Sequence, residues 1–304
     1  MCSAYLPHAY TVLKFQGTGS RAEMLARALL LHCVAGFFNY QGQWKEAEGF
    51  LVQAIGIRKG LLGEKHPNTL WSTAELASTY VYQGRPKEAE ELELQVMEAR
   101  KRVLGEEHPD TLSSIDNLAF TYRDQGRWRE AEELGVQVME AKKRVLGEEH
   151  PNTLSSIVSL ASTYWNQGRW KEAEELEVQV VEMGKRVWGE EHPYTLTSMD
   201  NLALTWRSQG RWREAEELGV QVMEVRKRVL GEEHPDTLTS MGNLAFTWRS
   251  QGRLDEALNL MRRCVEFQQQ VLGLKHPHTV SSSSTMRKWK AGSSSHDEAA
   301  NTSG

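Results

Sequence analysis

The sequence predicts an all-α solenoid, and three observations carry that prediction. A His-Pro pair returns at His66-Pro67, His108-Pro109, His150-Pro151, His192-Pro193, His234-Pro235 and His276-Pro277, always 42 residues apart. A second mark, Gln-Gly, keeps the same period from Gln41-Gly42 to Gln251-Gly252. Between the marks the apolar residues fall at Leu112, Ile115, Leu118, Ala119 and Tyr122, the spacing of a helix stripe rather than the alternation of a strand. Two turn signals per period give two helices per period, and a hairpin that cannot bury its apolar side alone must stack on its neighbour.

Each element has a local reason. Proline is tolerated in the first helical turn, where its missing N–H has no intrahelical partner, so His-Pro opens a helix; Asp110 in that turn suits the positive end of the dipole. First helices are expected near 67–83, 109–125, 151–167, 193–209 and 235–251, and their partners near 44–63, 86–104, 128–146, 170–188, 212–230 and 254–272. The second helix of the third hairpin carries Ala131, Leu134, Val138 and Val145 on one side and ends at Gly147, where a left-handed residue is wanted. The hairpins span about 21–64, 65–106, 107–148, 149–190, 191–232 and 233–274, followed by a partial capping helix over 277–290. Residues 1–20 form an extension with a short helix in 10–15, and Ser20-Arg21-Ala22-Glu23 has the form of a capping box. The Ser-, Gly- and Asn-rich stretch 291–304 is expected to be disordered.

Composition narrows the function classes. With 39% apolar and 25% charged residues, the 304-residue chain reads as an ordinary soluble protein with a large core, and a net charge of -5 argues against a surface that tracks nucleic-acid phosphates. Cys2, Cys33 and Cys264 are scattered and odd in number, as in a reducing compartment, and the apolar run 28–38 is too short to cross a membrane. A cytoplasmic protein without membrane contact is expected. Gly17-Thr18-Gly19 is a turn rather than a phosphate loop, since no strand precedes it and no Gly-Lys-Ser follows.

The repeated histidines invite a metal reading. Packed helices lie about 8–10 Å apart, so equivalent histidines two helices along stand roughly 20 Å from each other, and capping explains them better. Lys142, Lys143 and Arg144 close a helix that Glu130, Glu132 and Glu133 open, which complements the dipole on a solvated face. Asn301-Thr302-Ser303 carries little weight as a glycosylation acceptor without a route to secretion. No catalytic order or cofactor motif stands out, so neither an enzyme nor a cofactor is expected.

The pattern Leu118-Ala119, Tyr122, Gly126 and Ala131 resembles the tetratricopeptide repeat. The 42-residue period and the connector Leu104–Leu112, LGEEHPDTL, resemble kinesin-light-chain-type repeats and the arrays that end fungal STAND (NB-ARC) receptors. Gly135, Glu177 and Gly219 depart from it where the family usually has a large residue, and Val138, Val180 and Val222 where it prefers alanine. The resemblance implies a right-handed superhelix whose first helices line a concave groove.

Laying the hairpins over one another separates core from groove. Leu112, Leu118, Ala119 and Ala131 keep their identity in every full copy that follows, whereas the other side of the first helix varies. The expected groove residues are Asp116, Asn117, Phe120 and Arg123, then Ser162 and Trp165, then Asp200, Asn201, Leu204 and Arg207, and lastly Asn243, Phe246 and Arg249. An apolar stripe interleaved with Arg and Asn suits a protein or extended peptide partner. The array is thus expected to be an interaction scaffold, the sensing end of a STAND-type receptor; the alternative is a kinesin-light-chain-like cargo adaptor, which needs a heptad segment that residues 1–40 lack.

Overall fold

The computed structural model describes residues 19–301, with side chains through residue 291, and among these residues every regular element is a helix. In chain order they are α1 (Arg21–Tyr40), α2 (Trp44–Leu62), α3 (Pro67–Tyr82), α4 (Pro86–Leu104), α5 (Pro109–Asp124), α6 (Trp128–Leu146), α7 (Pro151–Asn166), α8 (Trp170–Trp188), α9 (Pro193–Ser208), α10 (Trp212–Leu230), α11 (Pro235–Ser250), α12 (Leu254–Val271) and α13 (Pro277–Asn301). The expected boundaries hold within a few residues. The expected short helix in 10–15 lies outside the described residues.

The hairpin starts are capped as their sequence demands. In all six copies the His Nδ1 accepts a hydrogen bond from the N–H two residues on, at 3.1 to 3.3 Å. A histidine therefore does the work usually given to Ser or Asp, with proline holding the next position helical. Ser20 Oγ accepts from Glu23 N–H at 3.2 Å. Gly147 closes α6 at φ 92 and ψ 159. That is positive φ with extended ψ rather than the expected left-handed helical cap, a conformation that only glycine adopts without strain.

The chain divides into two compact units, Met1–Thr163 and Tyr164–Gly304. In the first, each of α1 to α5 packs on the next helix, and the first helices α3 and α5 also touch each other. In the second, α8 to α13 do the same, with α9 beside α11. The invariant apolar positions form the cores: Leu112, Leu118, Leu154 and Leu160 are about 2% exposed in the first unit, and Leu196, Leu238 and Leu244 are buried as deeply in the second. Burying such a leucine is worth about 1.5–3 kcal/mol. Val145 departs from the expected stripe: it is 42% exposed in the last turn of α6, while Ala141 and Lys142 before it are buried.

The Gln-Gly turns carry a clamp. Gln125 Nε2 donates to the Pro86 carbonyl at 3.2 Å and to Glu90 Oε2 at 2.8 Å; Arg127 Nη1 reaches the same Glu90 at 2.9 Å and lies over the Tyr122 ring at 3.9 Å. Glu48 with Gln83 and Arg85 repeats this in the first unit; Glu174 with Gln209 and Arg211, and Glu216 with Gln251 and Arg253, repeat it in the second. Each clamp ties a second helix to the next hairpin, so these glutamates serve packing between repeats more than the helix dipole.

Helix α13 is described to Asn301. Residues 302–304 lie outside the described residues. One expectation needs correction. Lys142 does not belong to a solvated face: it is 2% exposed, and its Nζ binds the Asp116 carboxylate.

Candidate functional site

The expected groove residues all sit on the first helices, α5, α7, α9 and α11. In the first unit, Asp116, Asn117 and Phe120 of α5 line an open cavity of about 310 Å³, completed by Tyr82 of α3 and by Ser155 and Ser159 of α7. Arg123 is half-buried, donating Nη1 to the Ser159 carbonyl at 3.1 Å and lying over the Phe120 ring at 4.8 Å. Ser162 donates to the Val158 carbonyl of its own helix at 2.9 Å.

In the second unit, Trp165 is 37% exposed and its indole N–H donates to Ser208 Oγ at 3.1 Å. Phe246 is 39% exposed, meets Trp289 edge-on at 5.0 Å and lies under the Arg207 guanidinium at 5.5 Å. Asn201, Leu204 and Asn243 are half-buried on the same helices, and Arg249 is exposed. A hollow of about 580 Å³ lies over Arg211, Trp212, Glu216 and Arg253, and Arg211, Glu216 and Arg253 are already paired in the clamps.

Asp200 does not face a groove. It is 5% exposed, with Arg226 Nη1 at 2.7 Å and Ser240 Oγ at 3.0 Å. Burial pushes its carboxyl up to about 6, against the pull of Arg226. Asp116 shares the arrangement with Lys142 and with Ser156, whose hydroxyl lies 3.1 Å away, and burial raises its carboxyl too. The helical stripe placed both aspartates correctly on the first helix, yet the second helix supplies a cation underneath them. One signal in the sequence could have shown this: the acid precedes a cation by 26 residues and a serine by 40 in both copies, while Val158 and Gly184 stand at the acid and cation positions of the copy between them.

The chemistry available on these faces is hydrogen bonding by amides and hydroxyls, cation–π contact and apolar anchoring. Among the described residues, no group of three or more His, Cys, Asp or Glu is placed to hold a metal, and no helix is long and apolar enough to cross a membrane.

Comparison with known proteins places the chain. One tetratricopeptide repeat model matches residues 26–102, 94–144 and 110–186, and a second matches 195–236 and 237–278. A crystal structure from Podosopora anserina, described as a kinesin light chain of nearly identical TPR-like repeats, is 35% identical, covers 68% of this chain and 97% of its own, and superposes with a TM-score of 0.56. NprR in complex with its cognate peptide NprX shares the fold at 13% identity, over 86% of this chain and 74% of its own, with a TM-score of 0.61. A nucleotide-binding leucine-rich repeat (NLR)-like protein of Hyaloscypha variabilis is 45% identical over 72 residues, which span 24% of this chain and only 7% of that relative.

Proposed function

Because the chain belongs to the tetratricopeptide repeat family, we propose that the first-helix faces of its hairpins hold a partner protein, or an extended peptide of one, without acting on it chemically. The observation that carries this reading is the second unit's set of Trp165 and Phe246, each more than a third exposed, beside Arg207, Arg249, Asn201 and Asn243. Large aromatic and arginine side chains dominate binding energy where they are found at interfaces, and asparagine amides satisfy an extended backbone. NprR, with the same fold, is a peptide complex.

Two biological settings suit such a scaffold. The likeness to the NLR-like protein supports the sensing array of a larger receptor; the likeness to the kinesin light chain supports a cargo adaptor. A cytoplasmic location suits both.

The test is affinity capture from the organism's own cells, followed by titration of the recovered partner against the full chain and against the variant Trp165→Ser, Asn243→Ala, Arg249→Ala. The variant should lose at least about tenfold in affinity, about 1.4 kcal/mol, with unchanged helicity and melting temperature. Equal affinity would move the interface elsewhere.

A further inference from the structure

The cavity of the first unit differs from the equivalent place in the second by one cation and two rings. In it, Lys142 Nζ donates to the Asp116 carboxylate and, at 3.3 Å, to the Asn152 carbonyl. Two repeats on, Arg226 stands for Lys142: its Nη1 donates to Asp200 at 2.7 Å and its Nη2 reaches across to Thr197 Oγ1 at 3.0 Å. Ser113, at the register of Thr197, donates to the Pro109 carbonyl at 2.9 Å instead. The shorter cation leaves its acid more open, the side chain of Asp116 being 20% exposed and that of Asp200 6%. Tyr82 and Phe120 line the cavity where the second unit's register has Asn166 and Leu204.

The result is a neutral cavity with open hydrogen-bonding groups. Lys142 and Asp116 are the charged lining residues, and they are paired with each other. Asp116 Oδ2 takes both Lys142 and Ser156, so Oδ1 remains to accept. The side-chain amides of Asn117 and Asn152 and the hydroxyls of Ser155 and Ser159 have no hydrogen-bond partner among the described residues. An amide offers two donors and an acceptor, and a hydroxyl offers both roles. Tyr82, whose ring stacks on Trp44 at 6.0 Å, is 54% exposed and adds an aromatic face. Neither an anion nor a cation finds an unpaired counter-charge here, and desolvating an ion without one is costly. A volume of about 310 Å³ stands at the small end of ligand sites, so the guest is a single ring rather than an extended molecule.

We propose that this cavity is a binding site for a neutral sugar, one pyranose ring with its C–H face against Tyr82 and its hydroxyls on Asp116 Oδ1, Asn117 and the serines of α7. Such a ring carries hydroxyls at its rim and C–H groups on its faces, which matches a lining of amides, hydroxyls and one aromatic platform. The site does not depend on the partner reading, whose aromatic anchors are Trp165 and Phe246 of the second unit.

The test applies the full chain to an array of neutral and acidic oligosaccharides and then titrates the methyl glycoside of each retained terminal sugar, read by saturation-transfer NMR. A neutral pyranoside should bind at least tenfold more tightly than its uronic acid. Lys142→Arg, which copies Arg226 and keeps the ion pair, should abolish binding without lowering the melting temperature. Tyr82→Asn, a change at an exposed side chain, should weaken binding at least tenfold and keeps the test decisive should Lys142→Arg disturb the fold. An array that retains no neutral glycan, equal affinity for the uronic acid, or binding untouched by Tyr82→Asn would overturn the sugar site. Neutral octapeptides that bind where no glycan does, and are lost with Lys142→Arg, would give the cavity to a peptide and overturn it as well. None of these outcomes bears on the partner titration with the Trp165→Ser, Asn243→Ala, Arg249→Ala variant, which tests the groove reading separately.

Discussion

The second unit buries two carboxylates to nearly the same depth and surrounds them in opposite ways. Asp200, 5% exposed, has Arg226 and Ser240 within hydrogen-bond distance. Glu177, 4% exposed, has an Oε2 with no partner, beside a Thr205 hydroxyl that is also unpaired. Burial pushes both carboxyls up, Asp200 to about 6 and Glu177 to about 7; Arg226 restrains the first, whereas no cation restrains the second and Glu174 adds to its rise. A buried acid with a cation at the right register thus stays ionised at neutral pH, and one without it sits at the edge of protonation. Glu93 in the first unit is the same case, raised to about 7 beside Thr121.

Breaking the paired site should have the largest effect. Arg226→Met leaves Asp200 buried without a cation and should cost about 3–5 kcal/mol in denaturant unfolding, while Asp200→Leu combined with Arg226→Met should recover most of it. A single-variant loss below about 1 kcal/mol would mean that Asp200 is solvated or protonated and the pair contributes little.

The unpaired site should show itself through pH. The folded carboxyl of Glu177 keeps its proton to about 7 against the ordinary 4.5, so its stabilising contribution is complete below 4.5 and is lost as pH rises through 7. At about 1.4 kcal/mol per pH unit of difference, Glu177→Met should raise stability at pH 8 by about 3–4 kcal/mol and flatten the profile between pH 4.5 and 8. An unchanged slope would place the titration on other groups.

The smallest effect compares the copies in which glycine takes the position of Glu177. A Cβ on Gly219 would meet Leu244 Cδ1 at an ordinary 3.6 Å, so Gly219→Ala should gain about 0.5–1 kcal/mol from helix propensity alone. On Gly135 the Cβ would meet Leu160 Cδ1 at 3.2 Å, and the gain should shrink to near zero. Thermal melts of the two variants side by side would decide, and equal gains would mean that Leu160 shifts freely.

Much of this fold could be read from the sequence because its signals are local. A histidine two residues before a helical N–H, a proline in the first turn and a glycine after the last one act within a few residues of themselves, so the helix boundaries follow without knowledge of neighbours. The alanines and leucines that never vary mark the core for the same reason. Asp200 shows where such reading stops: the stripe on its helix was right, but Arg226, 26 residues on, determines that the carboxylate is held inside. Arg123 and Arg207 hold the same place in their repeats, yet one donates to Ser159 and the other has a buried Nη1 with no partner. Glu90 and Glu174 near the second-helix starts bind the arginine of the following turn, 37 residues on, a tie between repeats that no local signal shows.

By itself the sequence determined the beat of the chain: two helices every 42 residues, where each begins and ends, and which apolar side each must bury. Only the tertiary structure decided which polar side chains are spent inside and which remain open to a guest. That division depends on what the next helix brings within about 3 Å of each group, and in a low-dielectric interior the presence or absence of one counter-charge changes a side chain's state by more than any local preference does.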